Sequence, residues 1–267
     1  DTVGQDIVNH CVNDILVQGA KPLFFMDYVG TSRFDAPIFK DVVSGLCKAC
    51  KENHMALLGG ETAEMPGLYP ANEYDLVGTI VGVVDRKHLI TGQSIRAGDV
   101  ILGFPSEGLQ TNGFSLARRV IFDMCLLSPQ DMLPGTNKRI GDALLAVHHS
   151  FLHPVSKLMD RGIKINGMAH ITGGGFVDNI PRVLPKTVDA VIDRTTWTPP
   201  TIFTFIERQG HIDHDEMYRV FNMGIGFVVI LSKNEAKKAK ASFAAMKQPY
   251  VEIGVIKRGH GTVVYSK

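Results

Sequence analysis

The sequence predicts an α/β (α+β) fold with two α/β domains, and three observations support that prediction. Short apolar runs alternate with amphipathic helical patterns along the chain, which is typical of sheets covered by helices. The length of 267 residues favours one large domain or two of medium size. A polar stretch at 87–97 separates two series of such elements, so we place the domains at 1–90 and 91–267.

The composition argues against nucleic-acid binding, membrane insertion and a disulfide-stabilised fold. The chain is 45% apolar and 21% charged with a net charge of +1, and no dense Lys/Arg run marks a surface for nucleic acid or an anionic membrane. The longest apolar runs, such as 225–231, fall short of the ~20 residues that cross a bilayer. Four cysteines are too few for a disulfide framework, and the pair Cys47 and Cys50 lacks the further ligands of a zinc site. We therefore expect a soluble, cytoplasmic protein with reduced thiols.

The N-terminal domain is predicted as helix, strand, helix and two strands. The first helix ends at Gly19, and its apolar residues share one face at 3.6-residue spacing. Next come a buried strand at 22–29, a helix at 36–53, the strand MALLGGE at 55–61 and a strand at 74–86. Because the helical pattern begins at the first residues, we expect that upstream residues exist and are missing from this chain.

The C-terminal domain is predicted as a mixed sheet with flanking helices. The predicted strands are 99–105, 167–172, 189–194, 224–232 and two at the C-terminus; the predicted helices are 113–126, two through 161, one over GFVDNIPRVL, two short ones after 194, and 234–247.

The stretch GGETAEMPG, 59–67, is the first candidate site. It follows an apolar strand and places Glu61 and Glu64 beside Gly59 and Gly60. Glycines let the backbone approach a ligand, and carboxylates are oxygen ligands for Mg²⁺, which takes one or two acids together with phosphate oxygens. The alternative is that a glutamate only caps the turn made by Pro66 and Gly67.

The second candidate is the pair Asn13 and Asp14 inside the first helix. Both residue types are weak helix formers, so an adjacent pair there needs a reason. Asp14 is either a solvated surface residue or a carboxylate aimed at the same metal as Glu61.

The third candidate is AHITGGGFVDNIP, 169–181. Three glycines between a strand and a helix offer backbone N–H groups to phosphate, although the spacing is neither the dinucleotide nor the P-loop motif. A tight turn without a ligand is the alternative. A weaker fourth candidate is 106–120, where Asn112 and Gly113 indicate a turn and Ser115 could cap a helix.

Taken together, these motifs indicate a protein family more specifically than any one of them does alone. VNDILVQGAKPLFFMDY, LLGGETAEMPGLYP, YDLVGTIVG, TNGFSLARRV, AHITGGGFVDNIPRVLP and MYRVFNMGIGF occur in this order. The whole chain resembles the aminoimidazole ribonucleotide (AIR) synthetase, or phosphoribosylformylglycinamidine cyclo-ligase, family.

The resemblance implies an enzyme of purine biosynthesis. In this family ATP activates the formyl oxygen of formylglycinamidine ribonucleotide as an iminophosphate, and an amine nitrogen of the same substrate then closes the five-membered ring of AIR. The resemblance makes 1–90 an ATP and dimerisation domain that lacks its upstream part, and 91–267 the AIR synthase-related C-terminal domain. It further implies a homodimer whose N-terminal domains pair through their sheets, with Mg²⁺ and ATP held by acidic residues of the N-terminal domain.

The resemblance also assigns residues. Asp14 and Glu61 are expected as catalytic Mg²⁺ ligands. The residues expected to bind ATP are Asn13, Gly59, Gly60 and Thr62. Those expected to bind the substrate and its phosphate are Asn112, His170, Thr172, Gly173, Gly174 and Gly175.

Two departures from the family keep other functions open. A glycine-rich segment and a DGVGTK-like motif, which contribute a Lys and an Asp in the family, are absent from this chain. Gln110 stands where the family often has His, and Gln cannot move a proton near neutral pH. The alternatives are a non-catalytic nucleotide-binding relative and a superfamily kinase of the selenophosphate or thiamine-phosphate type.

Overall fold

The computed structural model describes residues 1–266 and divides into two compact units. The first unit comprises Asp1–Leu89 together with Val147–Leu152, and the second comprises Ile90–Ala146 and the chain from His153 onwards. Both units combine helices with a sheet, which confirms the prediction of two α/β domains. The return of residues 147–152 to the first unit has no counterpart in the two continuous ranges predicted from the sequence.

The first unit is a three-stranded sheet with two helices. In chain order its elements are α1 (Thr2–Leu16), β1 (Lys21–Thr31), α2 (Ala36–Glu52), β2 (Ala56–Glu64), β3 (Tyr74–Val83) and a 3₁₀ turn (Arg86–His88). The strand order is β2-β1-β3, with β1 parallel to β2 and antiparallel to β3.

The helices of the first unit cover one face of its sheet. Asp35 starts α2 by accepting the Ile38 N–H at 3.0 Å, and Pro37 fits the first turn. Gly4 and Gly45 let α1 and α2 cross closely, because a Cβ on either would overlap backbone of the other helix. The core between helices and sheet is apolar and includes Val8, Val12, Phe25, Val42 and Leu46.

The opposite face of this sheet is apolar and exposed. Along β3 the half-buried residues alternate with exposed ones, as a strand with one covered face requires. The large exposed apolar side chains on this sheet include Met26, Leu58, Val77, Val81 and Val83.

The second unit is a six-stranded mixed sheet. Its strands are β4 (Val100–Pro105), β5 (Gly167–His170), β6 (Val188–Asp193), β7 (Ile225–Leu231), β8 (Val251–Arg258) and β9 (Val263–Ser266), in the order β5-β7-β4-β8-β6-β9. Neighbouring strands are antiparallel except for β6 and β9, which are parallel.

Helices flank the sheet of the second unit. They are α3 (Phe114–Arg118), α4 (Ile140–Leu144), α5 (Leu152–Asp160), α6 (Gly175–Asn179), α7 (Thr201–Gly210), α8 (His214–Val220) and α9 (Lys233–Met246), with a 3₁₀ turn at Ile180–Arg182. On one face, Phe243 of α9 packs on Phe104 at 5.2 Å between ring centroids. On the other, Ile101 and Val228 join a core with Phe176 and Phe203. Because both faces are covered, β7 is buried along its whole length.

Two of the differences from the sequence prediction lie in candidate site segments. The helix predicted over 113–126 is a short α3 followed by a π-helical turn at Arg119–Met124. The strand predicted to end at Glu61 continues to Glu64, because β2 keeps its register with β1 as far as the pair Thr31 and Glu64. Within residues 1–266, no helix is long and apolar enough to cross a bilayer.

Candidate active-site segments

The glycine pair of GGETAEMPG lies inside β2 and not at its end. Leu58 is an extra residue in the pairing with β1, since Phe25 pairs with Leu57 and Met26 with Gly59. Gly59 has φ = 141°, a conformation that is essentially restricted to glycine. A Cβ on Gly60 would overlap the backbone carbonyl of Asp27 on β1. Each glycine therefore has a local structural reason, in addition to the ATP contact predicted for it.

The two carboxylates of the same stretch accept backbone N–H groups. Glu61 is exposed, and its Oε1 accepts the Thr62 N–H at 2.9 Å. Glu64 Oε1 accepts the Phe34 N–H at 2.9 Å and so joins the end of β2 to the loop before α2. Thr62 is half-buried opposite Val29. Neither of these two contacts caps the turn at Pro66 and Gly67; Glu64 instead holds the loop before α2.

Asn13 is fully buried and holds the strap, the name we give to residues 147–152. Its Nδ2 lies 3.2 Å from His148 Nε2 and donates to His149 O at 2.7 Å, and its Oδ1 accepts the Phe151 N–H at 2.9 Å. Asn9, one turn earlier, donates to His148 O at 2.8 Å. These contacts explain a weak helix former inside α1. The structure places Asn13 as an internal clamp, and the ATP contact predicted for it stays a prediction.

A carboxylate also contacts the strap. Asp6 Oδ1 accepts the His148 N–H at 2.8 Å. Burial raises the pKa of Asp6 to about 6, partly offset by the His148 hydrogen bond. The Asp6 carboxyl therefore titrates at a higher pH than an exposed carboxyl while it holds the strap.

Asp14, the neighbour of Asn13, is half exposed and lies 3.3 Å from His10 Nε2 one turn earlier. The adjacent Ile15 lies over Gly82 of β3, where a Cβ would come within 2.5 Å of Ile15 Cδ1. Asp14 is therefore near the C-terminal end of β3, on the face of the sheet that the helices cover.

Glu61 lies elsewhere on the same sheet. It pairs with Tyr28, which pairs with Val77 of β3, and these positions alternate with Phe25 and so point away from the helices. From Val77 to Gly82 is about 16 Å at ~3.3 Å per residue. Asp14 and Glu61 of one chain are thus not brought together. This geometry corrects the prediction that both carboxylates of a single chain hold one ion. Each exposed carboxylate alone still suits a Mg²⁺ ion that carries phosphate oxygens.

A small cavity of about 50 Å³ opens beside this region in the first unit. Val29, Ile38, Phe39 and Val42 form apolar walls, and Arg33 and Phe34 also line it. Because Phe34 donates to Glu64, the cavity adjoins the GGETAEMPG stretch. This volume is well below the roughly 300–1,000 Å³ of typical ligand pockets, and Asp35 also lines the cavity.

The glycine run of the second unit forms the loop between β5 and α6. Gly174 and Gly175 have φ of 89° and 57°, and a Cβ on Gly175 would overlap the Tyr218 carbonyl. The turn alternative therefore accounts for these two glycines. Gly173 has an ordinary backbone, and a Cβ there would meet only the Asn112 side chain, at 3.2 Å from Oδ1.

Asn179 holds this glycine loop through side-chain hydrogen bonds to its backbone. It is 3% exposed, and its Nδ2 donates to Gly175 O at 2.7 Å, Gly173 O at 3.2 Å and Thr172 O at 3.4 Å. Its Oδ1 accepts the Thr172 hydroxyl at 3.1 Å. The loop is therefore fixed before any ligand binds, which lowers the entropic cost of binding.

A second loop, residues 106–113, lies against the glycine loop. Asn222 anchors it by donating to Gly108 O at 3.0 Å and Leu109 O at 3.1 Å and by accepting the Ser106 hydroxyl at 2.7 Å. Asn112 donates to Gln110 O at 2.8 Å and faces Gly173. The motifs that contain Asn112 and Gly173, some sixty residues apart in the sequence, thus lie side by side. Residues that bind one substrate must lie close together in this way.

His170 lies at the end of β5. It is 5% exposed and pairs with Phe227 of β7, whose ring centroid is 6.3 Å from its own. The structure places it in the sheet directly before Thr172, so its predicted contact with the substrate stays a prediction.

Sequence reasoning missed three polar residues in these segments. Asn179 had a usable signal, since it is a weak helix former within a helical pattern. Asp27 is a carboxylate inside an apolar strand, and burial raises its pKa. Asn222 gives no local signal, because its partners lie more than a hundred residues away.

Comparisons with known proteins cover both units. Residues 1–84 match the family model described as AIR synthase related protein, N-terminal domain, and residues 96–267 match its C-terminal domain. A phosphoribosylformylglycinamidine cyclo-ligase from Thermoanaerobacter pseudethanolicus is 46% identical over 264 residues, 99% of this chain and 78% of that relative.

Solved structures share the fold. The hydrogenase maturation protein HypE in complex with ATP has a TM-score of 0.71 at 20% identity, covering 98% of this chain and 75% of that one. Thiamine-monophosphate kinase from Stenotrophomonas maltophilia has a TM-score of 0.70 at 15% identity, covering 98% and 79%. The family resemblance read from the motifs is confirmed: the chain belongs to the AIR synthase related protein family, together with the curated phosphoribosylformylglycinamidine cyclo-ligases.

Proposed function

We propose that this protein catalyses the ATP-dependent cyclisation of formylglycinamidine ribonucleotide to 5-aminoimidazole ribonucleotide in purine biosynthesis. The observation that carries the proposal is the likeness to a curated cyclo-ligase over 99% of the chain at 46% identity. The meeting of Asn112 with the braced glycine loop in the second unit supports it.

The chemistry requires that an unreactive formamide becomes an electrophile. The formyl oxygen attacks the terminal phosphorus of ATP, ADP leaves, and the formamide nitrogen loses its proton to solvent as the C=N bond forms. The resulting iminophosphate carries phosphate as a leaving group. The amine nitrogen of the same substrate then attacks the formyl carbon and loses a proton, and phosphate departs with the former formyl oxygen. No covalent bond to the protein is needed, so positioning and charge neutralisation are its main tasks.

The second unit is proposed to hold the substrate. The glycine loop approaches the ribose phosphate at Gly173, with Gly174, Gly175 and Thr172 shaping the turn and Asn112 facing it. The support is that Asn179 fixes this loop through four hydrogen bonds. His170 would contact the same substrate from the end of β5.

The first unit is proposed to hold the nucleotide. Asp14 and Glu61 contribute separate carboxylates, and Gly59, Gly60 and Thr62 lie beside Glu61 on β2. Mg²⁺, when bound with ATP, neutralises charge on the phosphates during transfer. Asp14 is half exposed, which supports its access to such an ion. Glu61 lies on the same sheet face as Val77, so an ion held by Glu61 would lie beside a second copy that covers this face.

We propose a homodimer in the cytoplasm. The exposed apolar face of the first sheet, with Leu58, Val77 and Val83, would be covered by the same face of a second copy. Apolar surface of this kind is costly in water and typical of subunit interfaces. The four cysteines are free thiols, which agrees with a reducing compartment.

The proposal is tested with the full chain, ATP, Mg²⁺ and synthetic formylglycinamidine ribonucleotide. We expect ADP and 5-aminoimidazole ribonucleotide in equal amounts, and Asp14→Asn and Glu61→Gln should each lower kcat by about a hundredfold or more. Turnover only with thiamine phosphate or selenide would assign a kinase instead. Nucleotide binding without turnover would leave a binding protein.

A further inference from the structure

Gln110 is an unusual residue in the second unit. Its side chain is 2% exposed, and within residues 1–266 neither its amide nitrogen nor its amide oxygen has a hydrogen-bond partner. The amide lies against Gly226 of β7, where a Cβ would come within 3.0 Å of Nε2. A buried polar group without partners costs about 1–3 kcal/mol, so this side chain destabilises the free protein.

The backbone at the same place is also strained. Gln110 and Thr111 have φ of 50° and 66°, and two consecutive left-handed residues that are not glycine are costly. Asn222 and Ser106 fix the chain just before them, and Asn112 bonds the Gln110 carbonyl just after them. The surrounding hydrogen bonds therefore force the strained conformation.

The strain is located beside the proposed substrate loop. Asn112, two residues after Gln110, faces Gly173. Unpaired and strained groups persist in folded proteins chiefly where a ligand uses them. An apolar side chain of the same size would fill the site at lower cost, so the amide needs a functional reason.

We propose that Gln110 is a substrate-recognition residue whose amide is paired only when the substrate is bound. This inference rests on the proposed function. The polar atoms have almost no accessible surface beside Gly226, so the side chain must leave that place to reach a ligand. Its Oε1 then accepts the N–H of the substrate's formamide, and its Nε2–H group donates to a substrate oxygen.

The proposed contact also favours the reaction. A hydrogen bond accepted from the formamide N–H draws electron density toward the formyl oxygen, which is the atom that attacks ATP. Gln110 acts here without moving a proton, as its chemistry requires.

Gln110→Met tests the inference, because methionine has a similar size and no hydrogen-bonding amide. We expect the Tm of the free variant to rise by about 2–4 °C. We also expect its KM for the formylglycinamidine substrate to rise about tenfold, while its KM for ATP stays within about twofold. Gln110→His, which offers one donor and one acceptor, should restore most of the substrate affinity.

Gln5→Met is the matched control. Gln5 is also buried, but its amide donates to Asp1 O at 3.4 Å in the first unit. This variant should leave both KM values unchanged and should not raise the Tm.

Wild-type KM and kcat in Gln110→Met would overturn the inference, and so would equal losses for both substrates with a lowered Tm, because these mark a purely structural side chain. If Gln110→Met does not fold, hydrogen exchange of residues 109–113 in the unaltered protein decides: a change on adding substrate supports the inference, and no change overturns it. Absence of turnover in the unaltered protein would instead refute the proposed function.

Discussion

Two segments of this protein contain consecutive glycines, but the physical reasons for glycine differ between them. Gly59 and Gly60 lie inside β2, where Gly60 gives room to the Asp27 backbone on the neighbouring strand. Gly173–Gly175 form a loop that a buried asparagine holds through its carbonyls. In the first segment Gly60 is required by strand packing and Gly59 by its positive φ. In the second, Gly174 and Gly175 are required by the turn, and Gly173 is not.

A glycine run is a candidate ligand site only where one of its members has neither a conformational nor a packing reason to be glycine. Gly173 is that member, since a Cβ there would meet only the Asn112 side chain. Variants at the two segments, and at the clamps that hold them, separate the two explanations.

The largest effect is expected for Asn179→Ala. The change removes four hydrogen bonds and leaves buried carbonyls without partners, so we expect a loss of about 3 kcal/mol or more in the free energy of unfolding. Thermal denaturation should show a Tm lowered by roughly 6–12 °C. Asn137→Ala, in an exposed loop, is the control and should change the Tm by less than about 1 °C. A small effect at Asn179 would show that the loop is held by other contacts.

Gly60→Ala should come next. The added methyl would overlap the Asp27 carbonyl, so β2 must shift away from β1 at a cost of about 2 kcal/mol. Chemical denaturation measures this loss. The KM for the formylglycinamidine substrate should not change, because the segment lies in the unit proposed to hold the nucleotide. A stable variant with a raised substrate KM would contradict the distinction between the segments.

Asp6→Asn tests the clamp on the strap. The folded-state pKa of Asp6 is raised to about 6, so the native state favours the protonated acid, and stability falls as pH rises from about 4 to about 6. Asparagine can still accept the His148 N–H but does not titrate. The variant should therefore gain on the order of 1–2 kcal/mol over wild type above pH 6 and nothing near pH 4.

Urea denaturation of both proteins between pH 4 and pH 8 provides this measurement. The glycine-loop clamp uses only amide and hydroxyl groups, so Asn179→Ala should show no comparable pH dependence relative to wild type. An unchanged difference between Asp6→Asn and wild type across this range would contradict the raised pKa.

Gly173→Ala should have the smallest effect on stability and a selective effect on activity. Its backbone is ordinary, and the new methyl would meet only Asn112 Oδ1 at 3.2 Å. We expect a Tm within about 2 °C of wild type and a substrate KM raised about tenfold, with the KM for ATP unchanged. Gly60→Ala, which adds the same methyl group, should show the reverse pattern: a loss of stability and an unchanged KM for the formylglycinamidine substrate.

Much of the fold could be predicted because its elements have strong local patterns. The uniform apolar run that became β7 and the 3.6-residue spacing that became α1 lie close to their predicted ranges. The strap at 147–152 could not be predicted, because its position depends on Asn9, Asn13 and Asp6 about 140 residues earlier.

The candidate site was predictable in part. The motifs brought Asn112 and Gly173 into one assignment, and the fold places them side by side. The structure does not bring Asp14 and Glu61 together within one chain. Leu58 is an extra residue in β2 and reverses the face on which the following residues lie, which spacing along the sequence does not reveal. The unpaired amide of Gln110 is a property of tertiary packing alone.

The central claim is that ATP activates the formyl oxygen of a formylglycinamidine ribonucleotide held by this protein. The most direct test supplies substrate labelled with ¹⁸O at the formyl group and analyses the released inorganic phosphate by mass spectrometry. We expect each phosphate formed to carry one ¹⁸O atom from the substrate. Phosphate without the label, with ¹⁸O released into water, would contradict it.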